Sequence, residues 1–411
     1  MIENIKLSSE FKSQTTKAVM SIVLFVIVYF SIIVFAIGLT IVCAYGGIML
    51  IVTHPRLITI VLGIGLGSLG FMVLVFLLKF IFKSHKVDRS HLYEITRNEE
   101  PKLFKMIDDI VEQVDTTFPK KVYLSSDVNA SVFYDSSFWS MFFPIRKNLQ
   151  IGLGLVNAVS EEELKSILAH EFGHFSQKSM KVGSYVYNVN QVIFNLLHDN
   201  EGYDNLMSDW ANLTGYFAIF VVVASKIIDG IQWILIKMYE IINKNYMALS
   251  REMEFHADEI AANVTGHEPL KNSLLRLQLA DHSYNSVISF YETKISENSK
   301  SENLFQEHSF VMNYLAANNE IEIENDLPLV TVDELNKFNK SKLVIEDQWA
   351  SHPSTTERIK RLESLNLMAP KLNHQSANSI FKDIEKTQKE ITAKLFSSVQ
   401  YKDEPLSLIH I

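Results

Sequence analysis

His170-Glu171-Phe172-Gly173-His174 is the stretch on which the reading of this chain turns. Residues four apart share one face of a helix, so the two imidazoles can take a single metal ion between them. Glu171 projects beside them, where its carboxylate can act as base toward a hydrolytic water. The surrounding residues write the helix. Ser160 opens it, Glu163 completes a capping box, and Glu161 and Glu162 suit the positive end of the dipole. Leu164, Ile167, Leu168, Phe172 and Phe175 carry it onward. The pattern also arises by chance on surface helices, so a third ligand has to decide.

A catalytic zinc keeps three protein ligands and one open position. A second helix, expected over about residues 247–263, offers Glu252, Glu254, His256 and Asp258. Glu254 and Asp258 stand four apart, so one can bind metal while the other accepts a hydrogen bond from a ligating imidazole. Spacing alone leaves Glu252, Glu254 and Asp258 all open as the ligand. The rival reading is a catalytically idle membrane scaffold stabilised by metal. A structural zinc wants four protein ligands, and the single cysteine, Cys43, lies in an apolar run far from the motif.

The combination of His170–His174 with Ser250-Arg251-Glu252-Met253-Glu254-Phe255-His256-Ala257-Asp258 resembles the HtpX-type and CAAX-prenyl-protease-type membrane gluzincins. Their pattern is HExxH on one helix and E-[FY]-x-A-D on a later one. Ser351-His352-Pro353 with Arg358, Ile359 and Leu362 is similar to the family's S/T-H-P…R-[IV]-x-x-L element. Asn129-Ala130 resembles the pair at the edge strand that lines the substrate groove. The resemblance implies one Zn2+ held by His170, His174 and Glu254, Asp258 behind a histidine, and Glu171 as the base. It also places His352 and Arg358 near the active site, where both can stabilise a tetrahedral oxyanion; an ion pair with Glu363 or another acid is the equal alternative for Arg358. The implied fold is α+β and mostly α, a zincin-type domain with a small β-sheet. The implied task is endoproteolysis of damaged or misfolded membrane proteins.

Membrane attachment is read from the residues themselves. Ala18 to Val42 holds no charge, and neither does Leu57 to Leu78. At 1.5 Å per residue each crosses a hydrocarbon core of about 30 Å. Lys6, Lys12 and Lys17 precede the first run, Lys79, Lys83, Lys86 and Arg89 follow the second, and only Arg56 lies between. The positive-inside rule then puts both ends and everything after residue 85 in the cytoplasm; the membrane implied by the resemblance is a bacterial inner membrane. Gly65, Gly67 and Gly70 spell GxGxxG inside an apolar span, without the strand–turn–helix setting of a dinucleotide site; Gly63 and Gly67 fit close helix packing instead. A net charge of −9 excludes a nucleic-acid partner.

Three regions follow. Residues 1–85 form the anchor, 86–370 the peptidase domain, and 371–411 a C-terminal amphipathic helix with Ile380, Ile384, Ile391 and Leu395, and a tail. Helical periodicity runs from His91 to Val114, and strands are expected at Lys121–Leu124, Ser131–Tyr134 and Asn148–Gly152. Residues 182–247 are expected to form an apolar helical hairpin that turns near Asp229–Gly230 and lies against the bilayer or the domain with zero crossings, in preference to a true pair of spans; any crossings between His174 and Glu254 must be even in number if both bind one metal. Residues 282–350 read as a polar insertion.

Overall fold

The computed structural model describes residues 8–79, 84–85, 88–133, 136–137, 147–176, 179–198, 200–334, 353–368, 374–402 and 406–408. Its first helix, α1 (Ser9–Thr53), starts at Ser8, whose hydroxyl accepts from the Phe11 amide at 2.9 Å. Helix α2 (Leu57–Leu78) returns beside it. Glycine allows the close approach: a Cβ on Gly63 would lie 2.6 Å from the Gly47 carbonyl oxygen, and one on Gly47 would lie 2.3 Å from that of Gly63. Gly67 has ordinary room, its nearest neighbour being 4.0 Å away. Tyr29 also donates to the Leu77 carbonyl.

The next three helices correct the expected hairpin. They are α6 (Ser179–His198), α7 (Glu201–Leu213) and α8 (Gly215–Thr265), once the intervening catalytic elements named below are counted. Helix α8 runs unbroken through Asp229 and Gly230, so the turn lies at Thr214 instead. Gly230 lacks a helix-ending partner such as proline, and one glycine costs a long helix only about 1 kcal/mol. Thr214 supplies what a start needs, a hydroxyl accepting from the Phe217 amide at 3.3 Å. Among the described residues three helices, α1, α2 and α8, are long and apolar enough to cross a membrane.

Side-chain contacts fix where the α7–α8 turn lies along α2. Tyr203 donates to the Met72 carbonyl at 3.0 Å, Trp210 donates to the Ser68 hydroxyl at 3.0 Å, and Phe217 and Phe220 close on Gly65. The turn thus stops about 12 Å short of the start of α2, counting 1.5 Å per residue from Gly65 to Leu57.

The catalytic half is α+β. Strands β1 (Tyr93–Ile95), β2 (Val122–Ser125), β3 (Ala130–Phe133) and β4 (Asn148–Gly152) form one sheet in the order β1-β2-β4-β3. Only β2 and β4 run parallel. The helix expected from His91 is shorter than its periodicity, because Tyr93–Ile95 pairs with Val122–Leu124 and Pro101 then starts α3 (Pro101–Val114) at the position where proline is best tolerated. Short α4 (Leu153–Asn157) leads to α5 (Glu161–Ser176), the motif helix. Its capping box is present: the Ser160 amide donates to Glu163 at 2.8 Å and the Glu163 amide to Ser160 Oγ at 3.3 Å.

After α8 come α9 (His267–Lys294), α10 (Leu304–Asn318), α11 (Thr355–Leu365) and α12 (Ile384–Phe396). The polar run around residues 294–304 belongs to the turn between α9 and α10. Phe305 and Met312 of α10 are fully buried. Apolar faces of α3, β2, β4 and α5 join Ile260 and Ala261 of α8 in one core that Phe305 and Ile391 complete. A separate apolar cluster joins α1, α2, α6, α7 and the first part of α8. Helix α8 therefore links the two cores as one rod.

Candidate metal centre

Helix α5 brings His170 and His174 to one face, and α8 crosses against it. Gly173 sets the spacing. A Cβ there would meet the Ala257 Cα at 3.2 Å and the Ile260 Cβ at 3.3 Å, so glycine lets α5 approach α8 between Glu254 and Asp258. The His170 and His174 Nε2 atoms lie 3.2 Å apart. Glu254 Oε2 is 3.5 Å from His170 Nε2, and Glu254 Oε1 is 3.3 Å from His174 Nε2. Metal–ligand bonds of about 2.0–2.1 Å in a tetrahedron hold ligand atoms about 3.3–3.4 Å apart. The two imidazoles and the carboxylate match that spacing and fit a zinc ion.

Behind this cluster sits a second layer of charge. His170 Nδ1 is 2.9 Å from Asp258 Oδ1. Arg358, from the first turn of α11, donates through Nη2 to Asp258 Oδ1 at 2.6 Å and through Nε to Oδ2 at 2.9 Å. Its Nη1 lies 3.7 Å from Glu254 Oε2. Such a fork holds the carboxylate in one plane. Burial disfavours a charged His170, yet hydrogen bonds from its ring to Asp258 and Glu254 outweigh that and push the imidazole up to about 9. Burial raises the Glu171 carboxyl, against the pull of His170 and His174. The carboxyl is thereby brought closer to the range useful for moving protons near neutral pH.

The structure gathers His170, Glu171, His174, Glu254, Asp258 and Arg358 into one neighbourhood. Glu363, the other partner weighed for Arg358, meets Lys271 at 2.8 Å instead. Glu252 points elsewhere on α8, receiving a hydrogen bond from Ser8 Oγ at 3.2 Å and lying 3.9 Å from Arg361. Asn129 is exposed at the head of β3, its carbonyl accepting from the Gly152 amide at 2.8 Å, and Ala130 opens that edge strand. Ser351 and His352 lie outside the described residues.

Contacts between the anchor and the ligand helix were not legible in the sequence. The Phe11 ring lies 5.7 Å from the His256 ring, and Phe11 and Ala18 pack with Leu249 and Met253. The N-terminal turns of α1 therefore brace the helix that carries Glu254. Nothing in the spacing of residues 8–18 announces a partner more than two hundred residues away.

Residues 98–366 match the family described as Peptidase family M48. A protein named Protease HtpX homolog from Sulfurihydrogenibium sp. (strain YO3AOP1) is 25% identical over 285 residues, 66% of this chain and 76% of that protein. Another of that name from Sulfurovum sp. (strain NBC37-1) is 25% identical over 213 residues, 52% of this chain and 59% of its own length. The Protease HtpX of Vibrio vulnificus (strain YJ016) is 26% identical over 141 residues, 32% of this chain and 44% of that protein.

Proposed function

Because the chain belongs to peptidase family M48, we propose that it is an integral membrane zinc endopeptidase that cuts damaged or misfolded membrane proteins at the cytoplasmic face of a bacterial inner membrane. One observation carries the reading: three ligand atoms from α5 and α8 converge at 3.2–3.5 Å beside a Glu171 carboxyl raised by burial.

In this reading His170, His174 and Glu254 hold the zinc. When bound, Zn2+ supplies Lewis acidity toward the scissile carbonyl and makes water more acidic. Glu171 takes the proton from the attacking water and passes it to the leaving amine. Asp258 orients His170, and Arg358 holds Asp258; with two of its nitrogens on that carboxylate, Arg358 acts from behind the ligands, and oxyanion stabilisation falls to His352. An extended peptide adds to the outer edge of β3, which is unpaired among the described residues, beside Asn129 and Ala130, through main-chain hydrogen bonds that give little sequence preference. Residues 1–85 serve as anchor, 86–370 as the peptidase domain and 371–411 as its C-terminal helix and tail. The basic residues flanking α1 and α2 support a cytoplasmic catalytic half.

The test is zinc content together with cleavage of casein by the full chain in detergent, with and without a chelator. One zinc per chain and chelator-sensitive internal cleavage are expected. Stoichiometric zinc with no cleavage of any unfolded polypeptide would instead make the chain a metal-stabilised scaffold.

A further inference from the structure

The cluster of His170, His174 and Glu254 takes two groups from α5 and one from α8. The two histidines share a helix, so their spacing is local. Glu254 meets them only if α8 sits at one height and one rotation against α5. Gly173 closes the near side, with Ala257 and Ile260 at contact distance. Helix α11 takes a second side, where Arg358 bonds Asp258 and the Arg361 guanidinium lies 4.4 Å from the centre of the Phe255 ring. Leu249, Met253 and His256 form a third side, about 100–160° round the helix from Glu254 at 100° per residue.

That third side meets the first turns of α1. Among the described residues, Phe11 and Ala18 are buried with Leu249 and Met253 in a small cluster separate from both larger cores. The Phe11 ring stands 5.7 Å from the His256 ring. Ser8 Oγ accepts from the Phe11 amide at 2.9 Å and lies 3.2 Å from Glu252 Oε2 as a donor, which ties the start of α1 to the same turns of α8. These contacts end a longer seam. Phe11, Ala18 and Phe25 recur every seven residues on α1, as Ile242, Leu249 and His256 do on α8, and all are buried. In an antiparallel pair, the register that sets Phe11 beside His256 also sets Ala18 beside Leu249 and Phe25 beside Ile242. A seven-residue repeat on both helices is the seam of a left-handed coiled pair.

We propose that Phe11 is a positioning residue for the metal ligand Glu254. Its ring is the last layer of the α1–α8 seam and supports the back of the turns that carry the carboxylate. The proposal rests on the reading of His170, His174 and Glu254 as zinc ligands and adds to that site a residue from the first helix. Bulk singles out Phe11, because Ala18 in the preceding layer brings only a methyl group to the space beside Leu249 and Met253. The chemistry of the other sides points the same way. Asp258 and Phe255 meet guanidinium groups, so the apolar grip on these turns comes from α5 on one side and from Phe11 on another. A ligand carboxylate depends on such support for its direction, as a ligating imidazole does on its hydrogen-bond partner.

The experiment uses the full chain in detergent and measures its Zn2+ affinity by chelator competition and, after exchange to Co2+, its visible absorption. Phe11→Ala is compared with the parent, with Phe11→Leu and with Phe25→Ala, which removes the same ring two layers further along the same seam. Phe11→Ala should weaken zinc by about tenfold, the lower end of what losing a ligand's outer support costs, and should shift the Co2+ bands. Phe11→Leu should recover most of the affinity, because it keeps an apolar side chain against Met253. Phe25→Ala should lower the thermal midpoint and still bind zinc as the parent does. Parental zinc affinity in Phe11→Ala overturns the proposal, as does an equal loss in Phe25→Ala, which would make the effect one of general stability. If Phe11→Ala does not fold, Phe11→Val takes its place with the same two outcomes. A parent chain that binds no zinc overturns the ligand reading and this proposal together. A parent that binds zinc beside an unaffected Phe11→Ala overturns the positioning role alone.

Discussion

Asp258 joins Arg358 to His170: the guanidinium grips both carboxylate oxygens, at 2.6 and 2.9 Å, and one of those oxygens lies 2.9 Å from the imidazole Nδ1. All three side chains are largely removed from water, so each depends on the others for a partner. The chain of contacts fixes the ring of His170, and with it the direction of the Nε2 lone pair.

Breaking this chain should loosen metal without abolishing it. Asp258→Ala and Arg358→Ala should each lower zinc affinity or activity by about 10–100-fold, the usual effect of removing an outer partner of a ligating histidine. Arg358→Lys should recover little, because an ammonium cannot reproduce the two-pronged contact. Competition with a zinc chelator reads the affinity directly. Wild-type affinity in Arg358→Ala would show that Asp258 is held by other means.

The ligand assignment makes a sharper ordering. Glu254→Ala should strip zinc, while Glu252→Ala should retain it, since Glu252 meets Ser8 and Arg361 instead. Glu171→Gln should keep full zinc and lose cleavage, because that side chain moves a proton rather than holding metal. Zinc stoichiometry on the three purified variants tests this. An empty Glu252→Ala site beside a filled Glu254→Ala site would refute the assignment.

The sequence made the centre readable for a physical reason. His170, Glu171 and His174 are local, and their capping box and apolar stripe are written within sixteen residues. The core strands were legible within a residue or so, because each is bounded by turn formers. What failed involved competition over distance. Tyr93–Ile95 has helical periodicity but gains more by pairing with β2, and Asp229–Gly230 looks like a turn but lies in a helix supported along its length by α1 and α2. Arg358 was open between an oxyanion role and an ion pair with Glu363 or another acid, and Asp258 was not named as that acid, because an ion pair a hundred residues apart leaves no local pattern.

Protons should destabilise the catalytic half at mildly acid pH through His308. This imidazole is fully buried, with Nε2 donating to the Ala280 carbonyl at 2.9 Å, and burial lowers it from 6.5 to about 4. Above pH 6.5 it is neutral in both folded and unfolded chains and costs nothing. Between pH 6.5 and 4 only the unfolded chain takes up the proton, so stability falls as pH falls. Linkage puts the loss at about 2 kcal/mol between pH 7.5 and 5. His308→Gln should start from lower stability but show a flatter fall over that window in thermal melts of the detergent-solubilised chain. An equally steep fall would move the effect to another group.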